Sequence, residues 1–389
     1  MLDLEKSLRK TLTKKTHQPL TYGADIESRF PSGTLDPSGM VFHHSIHHPL
    51  SHPVGMQTCT PQPPVPLLRS YAQLSSSHPR LLFIDTETTG LAGGSGTYAF
   101  LIGAGYFSDT DFVTQQFFLK SPAGEAPLLI AVDALMQQFD TVVSYNGKSF
   151  DVPLLRTRCI MNQMPCPADT MAHLDLLHPA RRLWKNSIGS CTLQNIEAYV
   201  LGHHRQLEAD IPGRDIPDAY FRYLDTHDAT DMQLVMQHND QDIYSLAALL
   251  TKMNELLAAP VLHDELVDPA AVGRLWEEYG SIQEALDFYT FLAEKGSLSG
   301  ESRQRMAMLC KQQKNWEKAT TLWEADATTN WQSCEELAKY AEHHVGDFVT
   351  ALKWTNTALA LLENSYLLDS ARVAALHHRK KRLEQRRDS

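Results

Sequence analysis

The chain has 389 residues, 43% of them hydrophobic, and a formal net charge of −11. That length exceeds one ordinary domain and fits two, and the apolar share is enough for real cores, which excludes a disordered polypeptide. The acidic balance excludes nucleic-acid binding by broad charge attraction, though not at a local site, and no apolar run approaches the roughly 18 residues needed to cross a bilayer.

From the N-terminus, MLDLEKSLRKTLTKK is basic and amphipathic. It has neither the apolar stretch nor the small-residue cleavage site of a secretion signal, so we expect a soluble, cytoplasmic protein with no membrane association. The six cysteines (Cys59, Cys159, Cys166, Cys191, Cys310, Cys334) form no CxxC pair and match no standard zinc spacing; reduced, buried thiols are expected. Residues 1–78 are rich in Pro, Ser, Gly and His. The run Val41–His48 has strand potential and invites a metal reading through its histidines, but it lacks ligand spacing and lies in a Pro-rich region, so residues 1–78 are expected to be a surface arm.

An α/β pattern follows. Leu81–Ile84 is a short apolar run ending in acidic residues, the signature of a buried strand. Tyr98–Phe107 and Phe112–Leu119 read as two more strands joined by a turn at Ser108–Asp111. Residues 124–139 have helical apolar spacing, Thr141–Tyr145 is β-rich, Asn146-Gly147 is a turn, and a helix starts near Asp151. Leu193–Leu201 and Thr230–Leu257 also read as helices. A mixed sheet flanked by helices is expected over residues 79–260.

The last third, residues 261–389, changes character. Ala285, Ala319 and Ala351 are 34 and then 32 residues apart, each within a helical segment and preceded by another. A period near 34 with a small residue at the helix crossing resembles tetratricopeptide repeats, although Trp276 and Tyr279 fit only the first unit; a plain helical bundle is the alternative. Such repeats generally present a concave surface to a protein partner. Basic residues gather at the two ends of the chain, Lys6–Lys15 and Arg372–Arg387, and both read as solvated helix faces.

The sharpest chemical signal is Asp85-Thr86-Glu87-Thr88-Thr89-Gly90 at the end of the first core strand. Residues i and i+2 of a strand share a face. Asp85 and Glu87 therefore present two carboxylates side by side, which is costly unless a cation neutralises them. Their hard oxygens suit Mg²⁺ or Mn²⁺. In isolation the hexapeptide also reads as a strand end entering a polar turn. It is joined by Asn146-Gly147-Lys148-Ser149-Phe150-Asp151, which sets Asp151 at a helix N-terminus, and by His238-Asn239-Asp240-Gln241-Asp242. His238 and Asp242 are four apart and share one helical face, which favours Asp242 over Asp240 as a ligand. A side chain with a near-neutral pKa beside that ligand suits a general base.

These three segments resemble the DEDD exonuclease superfamily, which has the ribonuclease H-like fold. The resemblance assigns Asp85, Glu87, Asp151 and Asp242 as ligands of two Mg²⁺ or Mn²⁺ ions and His238 as base. Three residues separate His238 from Asp242, so histidine stands where tyrosine-type members have tyrosine. Together with His173-Leu174-Asp175-Leu176-Leu177-His178, Ala180–Trp184 and Ile211–Arg214, the motifs look like the bacterial YprB-type ribonuclease H-like proteins over roughly residues 80–257. The implied reaction is two-metal hydrolysis of a phosphodiester, as a 3′→5′ exonuclease on single-stranded DNA or RNA ends. The alternatives are a structure-selective endonuclease and a catalytically weak nucleic-acid-binding scaffold. Thr88, Asn146, Lys148, Phe150, Arg181 and Arg182 are candidate substrate contacts. For the arginines, phosphate contact competes with an ion-pair network that includes His173, Asp175 and His178. For Lys148 the alternative is plain solvation, and for Phe150 and Trp184 core packing competes with base stacking.

Overall fold

The computed structural model describes residues 24–90, 96–206, 210–258, 265–363 and 370–388; the basic stretch Lys6–Lys15 lies outside them. The chain divides into two compact units, residues 1–258 and 259–389. Among the described residues, no helix is long and apolar enough to cross a membrane.

The first unit is built on a seven-stranded mixed sheet. Its strands are β1 (Thr34–Leu35), β2 (Val41–Pro49), β5 (Leu81–Thr88), β6 (Ala99–Phe107), β7 (Asp111–Leu119), β8 (Thr141–Ser144) and β9 (Ala172–Asp175), with β3 (Pro53–Val54) and β4 (Gln57–Thr58) forming a separate hairpin. The order across the sheet is β1-β2-β7-β6-β5-β8-β9. Pairing is antiparallel from β1 to β5 and parallel from β5 through β8 to β9. Parallel neighbours need crossovers, and the helices Glu125–Met136 and Asp151–Met161 supply them. Strands β6 and β7 are buried along nearly their whole length, and β6 is a near-continuous apolar run, because both their faces are covered.

The long helix Thr230–Ala258 packs on this sheet. Gly103 and Gly105 alternate along β6 and so share one face, which they leave flat for the helix. A Cβ at Gly103 would stand 2.1 Å from Asn239 Oδ1 and 2.3 Å from Ile243 Cδ1, and one at Gly105 would meet Ile243 Cγ2 at 2.4 Å. The close approach of helix to strand therefore depends on the two missing side chains.

The surface-arm expectation for residues 1–78 is corrected at β2. This strand is the neighbour of β7 along nine residues, from Val41↔Leu119 to Pro49↔Asp111. His43, His44 and His48 serve as flat packing groups. The His43 ring meets Phe117 edge-on at 4.9 Å, His44 lies 4.8 Å from Phe30, and His48 stacks on Tyr244 at 4.3 Å. Burial holds His43 and His44 below the usual imidazole range, as expected when the charged form is desolvated.

The second unit contains seven α-helices among its described residues, from Pro269–Tyr279 to Ser370–Arg387. Ala285, Ala319 and Ala351 are each fully buried. The solvated-face reading of the basic tail is corrected in part: Arg379 and Arg382 both bond the buried carboxylate of Glu342, at 2.7 Å, and Arg386 lies 3.7 Å from it.

Candidate nuclease site

The site forms where β5, the turn after β8 and the long helix meet. At the end of β5 the register with β6 shifts between Glu87 and Thr88. Irregularities of this kind re-aim side chains at a strand end. After β8 the chain reverses through Asn146, whose φ of 69° is in the left-handed region that asparagine tolerates. Asp175, fully buried on β9, fixes this turn by accepting from the backbone N–H groups of Asn146 (2.8 Å), Lys148 (3.0 Å) and Leu177 (3.1 Å). The turn sets Asp151 as the first residue of the helix Asp151–Met161, and the Thr86 hydroxyl donates to its Oδ1 at 2.5 Å. One β5 residue, between the two acidic ones, thus ties the second motif to the first.

The long helix supplies the third part. Buried Asn239 donates through Nδ2 to Asp85 Oδ2 at 2.8 Å, and its Oδ1 accepts from Gln116 Nε2 of β7 at 3.0 Å. A relay from β7 through the helix therefore orients Asp85. His238 Nδ1 lies 2.6 Å from Asp210 Oδ1, and its Nε2 lies 3.7 Å from Asp242 Oδ2. The two ring nitrogens thus face different carboxylates, Nδ1 toward Asp210 and Nε2 toward Asp242. Asp242 Oδ1 is bonded by Arg205 Nη2. Asp240 faces elsewhere and pairs with His48 Nε2 at 2.9 Å.

The four carboxylates act on one another. Burial, and then the charges of Asp242 and Asp151, push the Asp85 carboxyl well above its usual range. Glu87 is pushed up in the same direction by burial and then by Asp85, Asp242 and Asp151. Asp151 is raised to about 6, chiefly by burial, against the lowering bond from Thr86. Arg205 is the cation that opposes this negative charge at both Asp85 and Glu87. Among the described residues no three His, Cys, Asp or Glu side chains stand arranged as a ready metal cluster; Asp85, Asp151 and Asp242 are instead bonded to Asn239, Thr86 and Arg205.

The remaining candidates separate. Phe150 is 57% exposed just before the Asp151 helix, whereas Trp184 is fully buried. His173 Nε2 bonds Ser144 Oγ at 2.7 Å, and burial pulls its imidazole down to about 4. His173 and Asp175 are therefore internal to the fold, while His178, Arg181 and Arg182 lie exposed on the helix Leu177–Ile188. The Lys148 ammonium lies 5.8 Å over the Tyr71 ring, and Thr88 Oγ1 donates to the Gly90 carbonyl at 2.9 Å. Sequence reasoning missed Thr86, Gln116, Glu197, Arg205, Asp210 and Asn239 as site neighbours. Only Thr86 and Asn239 lie inside recognisable motifs, and the others are brought in by long-range packing.

Residues 82–254 match the RNase_H superfamily. The chain is 31% identical over 365 residues to the uncharacterized protein YprB of Bacillus subtilis (strain 168), covering 88% of this chain and 86% of that protein. Among solved structures, the family B DNA polymerase of the hyperthermophilic archaeon Pyrobaculum calidifontis is similar at 18% identity and a TM-score of 0.39; the match covers 55% of this chain and 29% of the polymerase, less than a third of its length.

Proposed function

For a chain that belongs to the family of YprB and carries an RNase_H superfamily domain, we propose a metal-dependent nuclease that hydrolyses phosphodiesters as a 3′→5′ exonuclease on single-stranded nucleic-acid ends. The observation that carries this reading is the convergence of Asp85, Glu87, Asp151 and Asp242, three of them with carboxyl groups pushed above their usual range by burial, and Asp85 and Glu87 also by the charges of their neighbours. Groups that repel in this way cluster at functional sites.

The donors fit divalent cations. All four are hard carboxylate oxygens, which suit Mg²⁺ or Mn²⁺ better than zinc, and one guanidinium does not balance four carboxylates. Asp85, Glu87, Asp151 and Asp242 would hold the ions; when bound, these supply a polarised phosphate and a more acidic attacking water. The protein does the rest. Asn239 and Thr86 hold Asp85 and Asp151 in position. His238, with Nδ1 turned to Asp210, offers Nε2 as the acceptor for the water's proton. Exposed Phe150 is available to stack a terminal base, and Arg181, Arg182 and Lys148 to meet phosphates. The helix pairs around Ala285, Ala319 and Ala351 are read as tetratricopeptide-like units that dock a protein partner. Six free, buried cysteines suit the cytoplasm.

A second reading, a nucleic-acid-binding scaffold, is favoured by one fact: Asp242 is already ion-paired to Arg205. Incubating the protein with end-labelled single-stranded DNA and RNA plus Mn²⁺, beside Asp85→Asn, separates the two. A ladder shortening from the 3′ end and absent in the variant supports the exonuclease. Binding without metal-dependent cleavage supports the scaffold, and internal cleavage supports an endonuclease on the same site.

A further inference from the structure

Arg205 is a cation built into the site by a dedicated partner. Glu197, its side chain 1% exposed, grips the guanidinium with both oxygens, Oε1 to Nη2 and Oε2 to Nε at 2.6 Å each. Ser245 Oγ donates to the same Oε1 at 2.5 Å, which fixes the carboxylate from the long helix. Local backbone brings the pair together. Glu197 opens the π-helical turn Glu197–Leu201, Gly202 reverses the chain at a φ of 68°, and the N–H of His203 returns to the Glu197 carbonyl at 2.8 Å. The free edge of the guanidinium then reaches Asp242 Oδ1 and comes within 3.2 Å of His238 Nδ1 and 3.6 Å of Asp210 Oδ2.

Resting on the metal-dependent reading above, we propose that the Glu197–Arg205 pair is the permanent counter-ion of the carboxylate site: it positions Asp242 and His238 and sets how tightly the site holds divalent cations. A bidentate Arg–carboxylate fork is rigid and directional, so Asp242 Oδ1 is committed to Arg205 and Oδ2 is left for the metal side. The guanidinium also places a fixed positive charge next to a metal ligand, and Glu197 cancels most of its field. The two members of the pair therefore act on a bound cation with opposite signs.

That opposition gives the test, by calorimetric titration of the full chain with MnCl₂ beside cleavage assays. Arg205→Met leaves Glu197 as an extra negative charge and tightens Mn²⁺ binding about tenfold; Glu197→Gln leaves the guanidinium uncompensated and weakens it about tenfold. The double variant restores the charge sum and returns affinity to within about threefold of wild type, although cleavage at saturating Mn²⁺ stays depressed in all three because Asp242 and His238 have lost their anchor. A purely structural pair would instead weaken Mn²⁺ binding in every variant, and that result overturns the inference while leaving the nuclease reading intact. If wild type itself binds no Mn²⁺, the metal reading falls and this inference with it. Circular dichroism of each variant identifies any that fails to fold; the double variant, in which neither member of the pair leaves the other's charge buried alone, carries the comparison in that case.

Discussion

Replacing Asp151 by asparagine should make the metal-free protein more stable. Its carboxyl is raised to about 6 from the model-compound value of 3.8, so the folded state binds a proton more tightly than the unfolded chain does. By linkage, stability from this group is fullest below the unfolded pKa and is lost as pH rises through about 6. At pH 7.5 the full penalty is about 3 kcal/mol, which partial solvent access reduces to about 1–2 kcal/mol. The shift already includes the favourable effect of the helix N-terminus and of the Thr86 hydroxyl, so the net sign is adverse despite both. Asparagine keeps an acceptor for Thr86 and removes the charge. We expect Asp151→Asn to raise Tm in EDTA at pH 7.5 by about 2–6 °C, with roughly half that gain at pH 5 and none below pH 4. The wild type should recover the difference when Mn²⁺ is added, and the variant should gain much less. The assay is thermal unfolding followed by fluorescence, with and without metal. A lower Tm for the variant in EDTA, or an equal Mn²⁺ shift in both proteins, would refute the charge-repulsion argument.

Three further outcomes follow from the geometry. Gly103→Ala drives a methyl into Asn239 and Ile243, costs about 1–3 kcal/mol in urea unfolding, and lowers Mn²⁺ affinity by loosening the bond from Asn239 to Asp85; unchanged affinity would show that Asn239 does not position that carboxylate. Glu342→Ala strands two bonded arginines beside an emptied buried site and should destabilise the second unit by about 3 kcal/mol, read as a shifted urea midpoint; a change below about 0.5 kcal/mol would place this cluster among inert surface pairs. His173 stays neutral to about 4 while the unfolded chain protonates near 6.5, so its contribution is lost as pH falls. Relative to His173→Gln, the wild type should lose about 2 kcal/mol between pH 7 and pH 5, and parallel pH profiles for the two proteins would count against a buried neutral imidazole.

What the sequence discloses about this site follows the range of the interactions. Asp85 and Glu87 are legible because strand alternation is local, and β6 and β7 because apolar and aromatic residues gather on both sides of a clear turn. Strand β2 is legible as a candidate strand but not as a member of the central sheet. Its apolar positions are filled by histidines, which a hydrophobicity pattern scores as polar although a neutral imidazole packs against Phe30, Phe117 and Tyr244 much as an aromatic ring does. Strand β9 is hidden for a related reason. In His173-Leu174-Asp175 the polar residues read as part of a polar or ion-pair cluster, yet both are satisfied internally, by Ser144 and by the backbone of the turn at Asn146. Arg205 has no motif at all; its place depends on a π turn and on a glutamate eight residues earlier.

The third motif shows how much one helix can distribute. At about 100° per residue, Asn239 points a quarter-turn or more from His238 and reaches across Gly103 to Asp85, while Asp240 points nearly opposite His238 and finds His48 on β2. Asp242 returns to within about 40° of His238, which sets their functional atoms 3.7 Å apart. One turn of helix thus serves three destinations: His238 and Asp242 on one face, a positioning amide against the sheet, and a structural ion pair with β2. The separation of four between His238 and Asp242 is therefore a geometric requirement of this site. A fourth residue between His238 and Asp242 would carry the aspartate a further 100° or so around the helix, away from Arg205 and from the face that His238 shares with it.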